Sequence, residues 1–170
     1  YDGLELLPPD AQVRRITLDL TGRLPTPSER AQLAAGMLNL SDHVDALMQE
    51  PIFLDILVDE WLNDTFHLAG AAFNSSRLDG DDFPDRGWYN DVYAGDEDAR
   101  QKAIQDASFG LNYAPYALIR HIVSQGLPFT QVLTADYTMV NYASARSYGV
   151  LDQVDFGGRT DPNEFQVARL

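Results

Sequence analysis

Asp79, Asp81, Asp82 and Asp85 fall within seven residues, and Gly80 among them allows a tight turn. Hard oxygen ligands on a kinked loop are what Ca²⁺ takes, so this quartet is the first candidate site. Its spacing is not that of an EF-hand. Phe83 and Pro84 stand where a ligand and a glycine are needed, and no bidentate Glu closes the loop. The competing reading, which the missing ligands favour, is a solvated loop capped by Asx turns. Phe73, Phe83, Trp88, Tyr89 and Tyr93 crowd the same stretch and are costly to leave in water. Two outcomes separate here. An aromatic-lined cleft beside carboxylates in 73–93 would speak for a hydrolase acting on an extracellular polymer. Flush packing of Trp88 and Tyr89 into a core would speak for a non-catalytic module.

Other reactive residue types carry less. Asp55 and Asp59, with Glu60 beside them, sit one helical turn apart, whereas glycosidase carboxylate pairs face each other across a cleft from different elements. His43, His67 and His121 are far apart and none stands in a zinc-ligand frame, so structural roles at helix ends or in partly buried positions are expected. Ser108, Ser124 and Ser144 lie outside any G-x-S-x-G or Ser-x-x-Lys pattern. "FGGR" has glycines but no strand and helix around it. The absence of cysteine removes disulfides, thiolate nucleophiles and the thioether attachment of a c-type haem. Non-covalent haem on His67 or His121 with Met139 is the remaining haem chemistry of the chain itself.

The elements that must position these residues read as helices. Asp10 is the expected cap of a first helix with a Val13, Ile16, Leu18, Leu20 stripe, and Gly22 ends it in the left-handed conformation. Thr26, Pro27 and Glu29 form a capping box with a proline start, predicting a second helix to about Gly36. Ser41 is expected to cap a helix through Met48, and Pro51 to start one whose face is Phe53, Ile56, Leu57, Trp61 and Leu68. Helical pattern resumes at Asp96, pauses at "FGLNYAP", and returns in "YALIRHIVSQG". It restarts on Pro128, and again between Asn141 and Gly149. The fold class is therefore all-α: several short to medium helices joined by capped turns, with one long acidic and aromatic loop. The segments are 1–69, an N-terminal helical module; 70–95, the loop; 96–150, a second helical segment; and 151–170, an irregular tail. Phe156, Phe165, Val167 and Leu170 in that tail join no stripe, so docking on another domain or subunit is expected. The start at Tyr1 without Met points the same way, to a processed or excised segment.

Twenty Asp and six Glu against eleven Arg and the single Lys102 give a net charge of −14. Such a surface repels phosphates and anionic lipid, which argues against nucleic-acid partners. The most apolar segment, "PIFLDILVDEWL", is broken by Asp55, Asp59 and Glu60 and is too short for a bilayer, so no membrane insertion is expected.

"RRITLDLTGRLPTPSE" resembles the start of the cytochrome-associated helical domains of unknown function in large secreted proteins of planctomycetes and related environmental bacteria. Arg14, Arg15, Leu18, Asp19, Leu20, Thr21, Gly22, Pro25, Thr26 and Glu29 match the family's signature. "VDALMQEPIFLDILVDEWLNDTF" fits its next two helices, and "PFTQVLTADYTMVNYASARSYGV" is similar to a later segment of the sister domains. The resemblance implies a periplasmic, secreted or cell-surface protein of several modules, with haem carried elsewhere in the parent protein or complex. It implies other domains or a c-type cytochrome as partners, and it transfers no catalytic residues. The expected function is a non-catalytic module; the alternatives are the polymer hydrolase and a cation-binding structural domain using Ca²⁺.

Overall fold

A computed structural model describes residues 6–62 and 75–170; the expectations placed on His67, Leu68 and Phe73 lie outside the described residues. The fold is mostly helical, as the caps and stripes require. It divides into two compact units, Tyr1–Phe66 and His67–Leu170, so loop, second helical segment and tail belong to one unit. Among the described residues no helix is long and apolar enough to cross a membrane.

The first unit contains α1 (Pro9–Thr21), α2 (Pro27–Ala34), α3 (Leu40–Met48) and α4 (Pro51–Asp55), which runs into a π-helical turn over Ile56–Leu62. Helix α1 starts on Pro9 at its first position, so Asp10 lies in the first turn and is not the cap. Its inward face is Val13, Thr17 and Thr21, while Leu18 is exposed. The two threonines were invisible as core because their polarity is hidden locally. Thr17 donates to the Val13 carbonyl at 2.8 Å and Thr21 to the Thr17 carbonyl at 2.6 Å. Thr17 Oγ1 also lies 3.0 Å from Nε2 of the buried His43 on α3. With the hydroxyl proton committed to Val13, the His43 N–H is the donor.

Asn39, not Ser41, caps α3, its side chain accepting from the Ser41 and Asp42 amides. In the next segment Phe53 and Val58 are buried and Trp61 is 52% exposed, against the expected face. The cause is the π-helical turn. Its i to i+5 bonding shifts the inward position from the four-residue step to the five-residue step, Phe53 to Val58.

Between α1 and α2 the chain turns as its residues demand. Gly22 has φ +66° and its amide reaches the Leu18 carbonyl at 2.8 Å. Thr26 and Glu29 make both bonds of the capping box, at 3.2 and 2.6 Å. Arg23 then locks the joint. It places two N–H groups on the Glu29 carboxylate, each at 2.9 Å, and two on Glu50 at 2.5 and 3.3 Å, tying the turn to the residue before Pro51.

Arg23 is the chief reason that the Glu29 carboxyl sits at about 2; burial opposes it, and bonds from Thr26 add to it. A depressed folded-state pKa contributes stability that is complete above the unfolded value, near 4.5, and lost as pH falls toward 2. Solvent screening of this part-exposed pair keeps the effect on the order of 1 kcal/mol. Urea midpoints measured through that window should fall more steeply for the native chain than for Glu29→Gln. Parallel curves would remove the Arg23 fork from the stability of this unit.

The second unit contains α5 (Ser75–Leu78), α6 (Trp88–Val92), α7 (Glu97–Ser124), α8 (Gln131–Thr134) and α9 (Tyr142–Ser147), with a 3₁₀ turn over Leu151–Gln153. Strands β1 (Thr138–Val140) and β2 (Gln166–Ala168) pair antiparallel with Met139 opposite Val167. No strand period is visible here, since three residues are too few to show one.

Helix α7 is capped by Asp96 and runs without the expected pause, carrying Pro115 in its interior. Proline costs the helix a backbone bond. Burial of Leu111, Ala114, Ala117 and Ile119 on the same helix outweighs that local preference. Helix α8 begins at Gln131 rather than Pro128, after a turn over 128–130. The tail is not irregular throughout. Phe156 is buried with Val140, Ala145, Val150 and Ala168, and Phe165 lies edge-on to Phe109 of α7. Val167 and Leu170 stay exposed.

Asn141 is the knot of this unit. It is fully buried and caps α9 reciprocally with Ser144, at 2.8 and 3.0 Å. Its Nδ2 donates to the Asp106 carbonyl of α7 and to the Pro162 carbonyl of the tail, each at 3.0 Å.

Candidate functional site

The stretch from Ser75 to Tyr93 is built as two short helices joined by turns, and its large side chains point inward. Trp88 is 3% and Tyr89 1% exposed, and both cluster with Leu78 and Phe83 against Ile104, Ala107 and Leu111 of α7. Gly87 enters α6 at φ +67°, a left-handed conformation that glycine adopts without the penalty a side chain would bring. The Trp88 indole N–H donates to Ser147 Oγ at 3.1 Å, and the Arg146 guanidinium stands 4.5 Å from the ring centre.

The four aspartates go to different partners. Asp79 accepts from the Tyr89 hydroxyl at 2.5 Å. Asp81 forms an ion pair with Arg86, and Asp85 lies 4.0 Å from Arg146. Asp82 is exposed. Among the described residues no three Asp, Glu or His side chains gather as a metal would need. A Ca²⁺ ion on this loop would have to draw Asp81 from Arg86 and Asp85 from Arg146. Burial, and then the Asp79 carboxylate, push the Tyr89 phenol well above its ordinary range, so this hydroxyl stays a donor across physiological pH.

The remaining candidates are dispersed. Asp55 and Asp59 are exposed on the first unit, and His43 is the buried partner of Thr17. His121, half-buried in the last turn of α7, meets Tyr137 edge-on at 5.9 Å, while Met139 is buried in β1. Ser144 is a capping residue, and Ser124 donates to the His121 carbonyl. The Ser108 carbonyl accepts from Asn112.

A cavity of about 110 Å³ opens beside this cluster, where α6, α7, α9 and the turn at 160–162 meet. Trp88, Tyr93 and Tyr142 form aromatic walls, and Ala99, Ala103 and Ala143 leave the space between them. Lys102 and Asp106 line it as an ion pair at 2.5 Å, and Thr160 and Pro162 close its far side. The hydroxyls of Tyr93, Tyr142 and Thr160 bond to no protein group among the described residues. Of these residues only the two aromatics Trp88 and Tyr93 belonged to the region singled out in the sequence. Lys102 and Asp106 reach the cavity because they are four apart on α7; that spacing was legible, its destination was not. Compared with known proteins, the chain matches no family model, no curated protein and no solved structure.

Proposed function

We propose that this chain is a non-catalytic helical module of an extracytoplasmic multidomain protein, docking beside a c-type cytochrome domain that carries the haem. The observation behind the non-catalytic reading is the use of the acidic and aromatic stretch for packing. Trp88 and Tyr89 lie flush in the core, and Asp79, Asp81 and Asp85 meet Tyr89, Arg86 and Arg146. A hydrolytic pair would instead face a cleft from two elements. The cytochrome association is supported by the likeness of the Arg14–Glu29 stretch to the cytochrome-associated domains. A charge of −14 adds a long-range field that steers a basic partner.

Calorimetric titration with a purified basic c-type cytochrome tests the reading. A saturable one-to-one complex at physiological ionic strength, weakening as salt rises, is the expected result. Heat that appears only in salt-free buffer would remove the docking role. Release of soluble sugars or peptides from a polymer by the purified chain would overturn the non-catalytic one.

A further inference from the structure

The cavity beside Trp88 is not needed for the docking role, and its lining is more selective than a packing defect requires. We propose that it binds one neutral sugar ring, a free or chain-terminal hexose. Size sets the first limit. An apolar cavity of roughly 150 Å³ holds one benzene, and a hexose is larger than benzene, so about 110 Å³ takes one edge of a single ring and leaves the rest in the open mouth.

Charge sets the second limit. Lys102 and Asp106 cancel each other at 2.5 Å, so neither an anion nor a cation gains a net partner. The pair still offers N–H donors and carboxylate lone pairs, which suit vicinal hydroxyls that both give and take hydrogen bonds. Tyr93, Tyr142 and Thr160 bring three more hydroxyls to the lining, none bonded to a protein group among the described residues. Aromatic walls then favour a ring with an apolar C–H face over a flexible polyol.

The site is also preorganised. The Asn141 amide, fully buried, donates to the Asp106 carbonyl on one wall and to the Pro162 carbonyl on the other, so a single side chain fixes the gap between them. A void left by poor packing would have no such brace.

The test uses the full chain with glucose, galactose and mannose as probes, and with glycerol, tetramethylammonium chloride and sodium sulfate as controls. Saturation-transfer NMR and melting temperature are read together. At least one hexose should receive saturation and raise the melting temperature with concentration. Tyr142→Phe combined with Thr160→Val removes two hydroxyls without reshaping the walls. That variant should melt at the native temperature without ligand and bind the hexose about tenfold more weakly. The proposal is overturned if no hexose binds, if tetramethylammonium, sulfate or glycerol binds better, or if the double variant binds as tightly as the native chain.

Discussion

Gly110→Ala is expected to destabilise the second unit by about 2–4 kcal/mol, although alanine is the better helix former by about 1 kcal/mol. A Cβ at position 110 would stand 2.3 Å from Asn141 Oδ1, 2.6 Å from its Cγ and 2.8 Å from its Nδ2. Nothing there can yield cheaply. Asn141 is fully buried and committed to Ser144, Asp106 and Pro162, so displacing it strands polar groups at about 1–3 kcal/mol each. The urea midpoint should therefore fall, and hydrogen exchange in α9 and at residues 160–168 should rise with it. Asn141→Ala costs stability by itself, yet Gly110→Ala added to it should cost much less than it does in the native chain. Strict additivity would show that the two residues do not meet.

Trp88→Ala is the second large effect, about 3–5 kcal/mol for the side chain alone. The indole fills the space between α6 and α7, donates to Ser147 and carries the Arg146 guanidinium on its face. Trp88→Phe keeps most of the apolar contact and leaves the Ser147 hydroxyl without its donor, so a smaller loss of about 1–2 kcal/mol is expected. Chemical denaturation separates the two. Equal midpoints for both variants, each of which lacks the indole N–H, would mean that the lost volume is not felt and that the bond to Ser147 carries the whole effect.

What was legible in the sequence was local. The stop at Gly22, the box of Thr26 and Glu29 and the boundaries of the Asn141–Gly149 helix are decided by residues within one turn of each other. They stand where their caps put them. What was not legible depends on distant partners. Arg23 reaches Glu50 across twenty-seven positions, and nothing near Arg23 announces it. Thr17 and Thr21 look polar until their hydroxyls are seen bonded to the helix itself. The helical period points Trp61 inward, and the π-helical turn does not keep that period.

The candidate site divides in the same way. Its residue types were visible: the aspartates around Gly80 and the aromatics through Tyr93. Their use was not, because Ser147 and Arg146, which engage Trp88, lie some sixty positions on in another helix. The cavity wall likewise takes Tyr142, Thr160 and Pro162 from segments that no local pattern joins to Tyr93.

The central claim is that the acidic and aromatic stretch holds the unit together rather than performing chemistry, and the melting temperature of Asp79→Ala tests it most directly. Carboxylates kept for catalysis commonly strain a fold, and removing one leaves stability unchanged or raises it. Here Asp79 is the acceptor for a tyrosine that is 1% exposed. Its loss strands that hydroxyl at about 1–2 kcal/mol, a drop of roughly 3–6 °C in a chain of this length. In a Tyr89→Phe background, where the hydroxyl is already gone, the same substitution should lower the melting temperature little further. An unchanged or higher melting temperature for Asp79→Ala in the native background would contradict the account.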